Sequence, residues 1–173
     1  REFEIFVKLC ALRTGQLINY ESLAADAGVS PATAKQWLSI LEDSFLIKIV
    51  PPYASNRNKR LVKTPKLYFL DAGLAAYIAG WREPEMLAAS PMSGAFFENA
   101  VFGELLRFFS NRARSFEVSF WRSRDGEEID FIVEVGQRRF AIECKVGTPS
   151  PSNLVKAQRL AELDVDKAYV ATL

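Results

Sequence analysis

Histidine is absent from the sequence, which has 173 residues. Without an imidazole, the chain has no Ser-His-Asp or Cys-His hydrolytic centre, no histidine-ligated zinc and no HxE-type deaminase site. Any catalysis must therefore use carboxylates, lysine, tyrosine, or the hydroxyls of serine and threonine.

Cysteine and long apolar runs are also scarce. Only Cys10 and Cys144 occur, far apart and without a CxxC pair, so we predict neither a disulfide framework nor a structural zinc site. The longest apolar stretches, such as Phe45 to Val50, fall far short of the roughly 20 residues needed to cross a bilayer. No charged-then-apolar leader opens the chain. We therefore expect a cytoplasmic protein with no membrane partner.

Charge of one sign is not in excess either. The chain has 22 basic and 21 acidic residues and a net charge of +1, so affinity for nucleic acid must come from local basic patches. Hydrophobic residues make up 49% of the chain, enough for a core in one domain or two small ones. The chain opens on Arg1 inside a helical pattern, and we expect a fragment of a longer protein.

The composition of the sequence changes at the Pro-Pro pair of 51 and 52 and again near residue 90. We divide the chain near residue 90, which gives two domains, 1–90 and 91–173. In the first domain, the pattern predicts helices over residues 3–12, 20–27 and 31–43. Gly28 ends the second helix, and Ser30 caps the third. Two helices joined by Gly-Val-Ser form a helix-turn-helix candidate.

Apolar runs over residues 45–50 and 67–70 follow the third helix and flank a loop, which predicts a β-wing with a basic tip. We therefore expect a winged helix-turn-helix domain followed by a connecting helix. Four polar side chains on the third helix are candidates for reading base edges: Thr33, Lys35, Gln36 and Ser39. Four basic residues of the wing are candidates for phosphate contacts: Arg57, Lys59, Arg60 and Lys63. A protein-binding winged helix with a solvated basic loop is the open alternative.

The second domain begins with a predicted helix over residues 95–109, with Glu98 on it. The remaining elements are predicted as strands over 116–121, 128–135 and 138–146, a helix over 152–163 and a last strand over 167–172. The order is αβββαβ, and the fold class of the whole chain is α+β.

Asp130 and Glu143 are predicted to face each other across a hairpin. In the strand over 128–135, Ile129 and Phe131 belong to the apolar stripe and Asp130 points away from it. Gly136-Gln137 fits a two-residue type II′ turn, so Val135 pairs with Arg138 and Asp130 lies opposite Glu143. Lys145 lies on the same side as Glu143, two residues further on.

Two carboxylates in this position repel each other unless a cation neutralises them. We therefore predict a site for Mg²⁺ or Mn²⁺, with Asp130, Glu143 and the carbonyl of Cys144 as ligands. Lys145 would stabilise negative charge that develops during phosphodiester hydrolysis or orient the attacking water. A charged, solvent-facing strand is the alternative interpretation of the same residues.

The pattern of Asp130 and Glu143-Cys144-Lys145 resembles the PD-(D/E)xK nuclease motif, with Ile129 in place of its proline. Three segments also resemble the C-terminal region of a family of prokaryotic AAA-type ATPases: 95-AFFENAVFGEL-105, 120-FWRSRDGEEIDFIVE-134 and 141-AIECKVG-147. The resemblance implies a restriction-endonuclease-like domain in which Glu98 is the helix glutamate and Lys145 the catalytic lysine. The resemblance also implies an ATPase module as partner, and because the chain has no GxxxxGK[ST] motif, we expect no ATPase activity here.

Three functions are compatible with these features. The first is a Mg²⁺-dependent nuclease-like module that binds DNA and forms the C-terminal part of an ATPase. The second is a catalytically inactive region that binds DNA or protein and regulates the ATPase. The third is a transcriptional regulator built on the helix-turn-helix alone, and each of the three is compatible with an oligomer.

Overall fold

A computed structural model describes residues 1–53, 63–112, 115–123, 126–148 and 165–173. The chain has a mixed α+β fold with helices and two sheets, as the sequence predicts. The elements are α1 Glu2–Leu12, α2 Tyr20–Ala27, α3 Pro31–Asp43, β1 Ile47–Val50, β2 Lys66–Phe69, α4 Ala72–Ala79, α5 Pro84–Ala88, α6 Ser93–Ser110, β3 Glu117–Arg122, β4 Glu128–Val135, β5 Arg138–Lys145 and β6 Lys167–Thr172. None of the helices in these ranges is long and apolar enough to span a membrane.

The chain forms two compact units that are not simple halves of the sequence. The first unit contains residues 1–49 and 64–103, and the second contains residues 50–63 and 104–173. One boundary therefore lies within α6, and the residues that follow β1 group with the second unit. The sequence pattern, which indicates a division near residue 90, does not predict either feature.

The helix ends of the first unit follow from local capping. The side chain of Asn19 accepts a hydrogen bond from the Ser22 N–H at 2.9 Å, and Ser30 accepts one from the Thr33 N–H at 3.1 Å. Gly28 ends α2 with a φ of 72°, a left-handed conformation that glycine adopts without strain. The predicted bounds of α2 and α3 are confirmed.

The core of the first unit joins the helices to a two-stranded sheet, β1–β2. Phe6 of α1 is fully buried and makes an edge-to-face contact with Trp37 of α3, with ring centroids 5.3 Å apart. From β2, Leu67 and Phe69 enter the same core. This strand begins at Lys66, one residue earlier than the apolar run indicates.

The second unit contains a four-stranded sheet in the order β3-β4-β5-β6. Its first three strands are antiparallel, and β6 runs parallel to β5. The predicted bounds of β4 and β6 are confirmed residue for residue. The helix predicted over residues 152–163 lies outside the described residues.

The β4–β5 hairpin has the register that the turn sequence predicts. Val135 pairs with Arg138, and the pairing continues to Phe131 and Ile142. Gly136 has a φ of 61° and Gln137 a negative φ, which fits a type II′ turn. Asp130 and Glu143 are each one residue beyond the last pair.

A β-bulge interrupts the pairing of β4 with β3. Ser119 pairs with Ile132 and Trp121 with Ile129, so Phe120 of β3 faces two residues of β4, Asp130 and Phe131. The strict alternation predicted for β4 is therefore wrong at Ile129. This side chain packs with Ile132 and Ala141, because the extra residue reverses the side of the sheet that it faces.

Candidate functional site

Asp130 lies at the bulge of β4, and its side chain is directed to β5. The Asp130 residue is only 9% exposed, and its Oδ2 accepts a hydrogen bond from the Cys144 N–H at 2.7 Å. A bulge re-aims side chains, and bulges are frequent next to active sites. The structure thus brings Asp130 to the Glu143-Cys144-Lys145 triplet, through a backbone contact that the sequence does not predict.

Glu143 and Lys145 form an ion pair on β5. The Lys145 Nζ is 2.7 Å from the Glu143 Oε1, and the Glu143 residue is only 5% exposed. Burial alone would lower the pKa of Lys145, but the hydrogen bond to Glu143 and the negative charges of Glu143 and Asp130 raise it above its usual value. Lys145 therefore keeps its positive charge at neutral pH.

The predicted ligand set consists of hard oxygen atoms. Asp130 and Glu143 supply two carboxylates, and Cys144, which is buried between Glu143 and Lys145, supplies a backbone carbonyl. Within the described ranges, no three or more acidic, cysteine or histidine side chains form a cluster that could hold a metal ion. A metal here would complete its shell with water and substrate, as Mg²⁺ commonly does.

Glu98 is engaged by β2 in the first unit. Its Oε1 accepts a hydrogen bond from the Lys66 Nζ at 2.8 Å and another from the Tyr68 hydroxyl. Lys66 is only 2% exposed, so the ion pair is buried. Glu98 is thus grouped with the first unit, while Asp130, Glu143 and Lys145 lie in the second. The catalytic role of Glu98 stays a prediction, whereas its contacts with β2 give it a structural role.

The candidate DNA-reading residues lie on α3 as predicted from its periodicity. Lys35, Gln36 and Ser39 are exposed, and Thr33 is half-buried. The Thr33 Oγ1 is 2.9 Å from the Oγ of the capping Ser30, and the Lys35 Nζ is 5.3 Å from the centre of the Tyr20 ring.

The candidate phosphate contacts of the wing lie largely outside the described residues. Arg57, Lys59 and Arg60 are in this group, whereas Lys63 is described and exposed. Lys66, which follows this basic run in sequence, is not available to a ligand, because it belongs to β2 and is buried against Glu98.

Two further residues next to the candidate centre have no local sequence signal. Tyr53, which follows the Pro-Pro pair, packs against a buried cluster of the second unit that contains Ile132 and Ala141. The Arg139 guanidinium lies 5.2 Å from the centre of the Tyr53 ring. Tyr53 and its neighbours are far apart in the sequence, so these contacts appear only when the sheet is assembled.

Comparison with known families divides the chain into two matched stretches. Residues 1–85 match a family described as a domain of unknown function, DUF8612. Residues 93–172 match a second such family, described as DUF4143. The second stretch is a DUF4143 domain. Asp130, Glu143 and Lys145 all lie within this DUF4143 domain, as does Glu98.

Two mycobacterial relatives carry the same region. They are the uncharacterised protein Mb2031c of Mycobacterium bovis and the uncharacterised protein Rv2008c of Mycobacterium tuberculosis. Each is 30% identical to the chain over 158 residues, which cover 91% of this chain and 34% of the relative. The chain, with its DUF4143 domain, thus spans about a third of the length of these relatives. No solved structure matches the chain.

Proposed function

We propose that the chain is a DNA-binding module whose DUF4143 domain is a Mg²⁺-dependent, nuclease-like domain, and that it forms the C-terminal part of an ATPase. The observation that carries the proposal is the pair of buried carboxylates, Asp130 and Glu143, beside the ammonium group of Lys145. Two carboxylates beside one ammonium group are the combination that metal-assisted phosphodiester hydrolysis uses, because the carboxylates offer hard oxygen ligands and the ammonium group stabilises negative charge.

The residues fit such an ion. Asp130 and Glu143 would hold Mg²⁺ or Mn²⁺ together with the Cys144 carbonyl, because all three offer the oxygen ligands that these ions prefer. When bound, the ion would polarise a phosphoryl oxygen and lower the pKa of a bound water. Lys145, which is 35% exposed, keeps its charge and would stabilise negative charge on the phosphate.

Element order supports the finer assignment of both units. The C-terminal part of α6, three antiparallel strands and a parallel β6 agree with the first helix and the four strands of the αβββαβ order of the restriction-endonuclease-like fold. In the first unit, three helices followed by the β1–β2 sheet agree with a winged helix-turn-helix. The exposed Lys35, Gln36 and Ser39 of α3 and the exposed Lys63 support DNA as the partner.

Plasmid cleavage tests the catalytic proposal. We expect the chain to nick supercoiled plasmid in Mg²⁺ or Mn²⁺, and Asp130→Asn and Lys145→Ala to lower the rate by roughly 100-fold or more, as loss of an electrostatic catalytic group does. Glu117→Gln is the matched control, since Glu117 is an exposed carboxylate of β3 and the variant should cleave like the wild type. Equal rates for the wild type, Asp130→Asn and Lys145→Ala would contradict catalysis by this site.

An inactive DNA- or protein-binding region that regulates the ATPase is the second candidate, and one observation favours it. The Asp130 Oδ2 and the Glu143 Oε1 already accept hydrogen bonds from the Cys144 N–H and from Lys145, at 2.7 Å each. Such contacts compensate buried carboxylates without a metal. Calorimetric titration with Mn²⁺ separates the two candidates: an inactive platform gives no binding heat, whereas the nuclease-like site binds and Asp130→Asn abolishes the heat.

A further inference from the structure

A short segment, Pro51 to Tyr53, pairs with the outer edge of β3 in the second unit, and we name it the strap. The Phe120 N–H donates to the Pro51 carbonyl at 3.2 Å, and the Tyr53 N–H donates to the Phe120 carbonyl at 2.6 Å. Pro52 and Phe120 form an isolated parallel bridge. The strap therefore satisfies both backbone groups of one residue of β3.

That residue is the one opposite the bulge. Phe120 is fully buried and faces Asp130 and Phe131, the two residues that β4 places against it. A bulge disrupts the ladder locally, and buried backbone groups need partners. By bonding Phe120 on its other edge, the strap fixes the strand against which the bulge forms.

The Tyr53 side chain packs on one face of the sheet, close to the bulge of β4. It packs against the buried cluster that Ile129, Ile132 and Ala141 form. Ile129 precedes Asp130 in β4, and Ala141 is two residues before Glu143 in β5. The Arg139 guanidinium lies over the ring, and the Arg139 Nε donates to the Glu134 Oε1 at 2.9 Å.

We infer that Tyr53 is a positioning residue of the candidate metal centre: the strap and the Tyr53 ring hold the bulge that aims Asp130 at the Cys144 N–H. Tyr53 acts through packing and through its backbone, so the ring is required and the hydroxyl is not. The inference about metal affinity rests on the proposed function, whereas the inference about the Asp130 hydrogen bond does not.

Amide exchange of the metal-free chain, followed by NMR, tests the positioning directly. We expect Tyr53→Ala to speed exchange of the Cys144 N–H by about tenfold relative to the Ile142 N–H of the same strand. Tyr53→Phe should leave this ratio unchanged. Tyr169→Ala is the control, because Tyr169 is a half-exposed tyrosine of β6 that lines the groove on the other face of the sheet with Phe140. If Tyr53→Ala does not fold, Tyr53→Leu is measured, and the same acceleration is expected.

Mn²⁺ titration of the same variants supplies the second readout. We expect Tyr53→Ala to weaken Mn²⁺ binding by roughly 10- to 100-fold, as substitution of residues that orient metal ligands does, and Tyr53→Phe to bind like the wild type. An unchanged Cys144 exchange ratio in Tyr53→Ala, or in Tyr53→Leu, overturns the inference. Absence of Mn²⁺ binding by the wild type, with the exchange ratio altered as expected, overturns the proposed metal site and supports the positioning role.

Discussion

The side chain of Asn99 on α6 hydrogen-bonds both backbone groups of one residue of β2, as a neighbouring strand would. Its Oδ1 accepts a hydrogen bond from the Phe69 N–H at 2.8 Å, and its Nδ2 donates to the Phe69 carbonyl at 3.0 Å. The Thr14 hydroxyl donates to the same Oδ1. All of these groups are buried, so the carboxamide satisfies backbone groups of β2 that water cannot reach.

Replacement of this carboxamide should destabilise the protein strongly. We expect Asn99→Ala to lower the free energy of unfolding by about 3 kcal/mol, because it leaves the Phe69 N–H and carbonyl without their partner inside the core. Urea unfolding measures the change. Asn111→Ala, at an exposed asparagine just after α6, should stay within about 0.5 kcal/mol of the wild type. Similar losses of stability in the two variants would contradict this role of Asn99.

At the same scale, the role of a residue can be predicted from the sequence when its hydrogen-bond partner is near in the chain. The role is missed when the partner is distant in the chain. Ser30 is identified as a cap because its partner, Thr33, is three residues away. Lys66 follows a basic loop and is not distinguishable from it in the sequence, since its partner Glu98 lies 32 residues further on. Asn99 depends in the same way on Thr14 and Phe69.

At the scale of elements, the Lys66–Glu98 pair fastens α6 to β2. The side chains are 3% and 14% exposed, so removal of one partner leaves a buried charge. We expect Glu98→Ala to cost about 3 to 5 kcal/mol in the free energy of unfolding, and the double change Lys66→Met with Glu98→Leu to recover most of it. Guanidinium unfolding followed by the fluorescence of Trp37 and Trp81 in the first unit measures both.

The same helix offers the control for this change. Glu104 pairs with Arg107 at 2.7 Å on the exposed surface of α6, so Glu104→Ala should cost no more than about 0.5 kcal/mol. If Glu98→Ala is as stable as Glu104→Ala but does not cleave plasmid, Glu98 acts in catalysis and its structural role is wrong.

Elements are predicted well where one short segment determines them. Gly136-Gln137 sets the β4–β5 register from the Val135–Arg138 pair to the Phe131–Ile142 pair, because a two-residue turn leaves no freedom in the pairing. The bulge arises from the pairing of β3 with β4, so it cannot be predicted from the sequence of either strand alone. The sequence thus places Asp130 and Glu143 near the same end of the hairpin, but it does not predict the hydrogen bond from the Cys144 N–H to Asp130.

At the scale of the whole molecule, DNA binding should depend on a local basic segment, because the net charge is only +1. We expect alanine at Arg57, Lys59, Arg60 and Lys63 together to reduce the slope of log K against log salt by about 3.6, because each neutralised phosphate contributes about 0.9 to that slope. Fluorescence anisotropy with a labelled duplex at several salt concentrations measures the slope.

A second fourfold variant tests whether this effect is local. It removes the same charge at four exposed basic residues elsewhere: Lys8, Arg112, Arg138 and Lys167. We expect its slope to remain close to that of the wild type. An equal reduction in both variants would mean that only total charge matters and would contradict a dedicated basic segment.

The strap lies outside the stretch that matches the DUF4143 family, although it pairs with a strand inside that stretch. The matched families place residues 93–172 in one stretch, yet Phe120, inside it, takes both of its outer backbone partners from Pro51 and Tyr53. A gene segment that encoded only the DUF4143 stretch would leave those partners behind. An exchange of the DUF4143 stretch between proteins would therefore preserve these two hydrogen bonds only if the residues just after β1 moved with it.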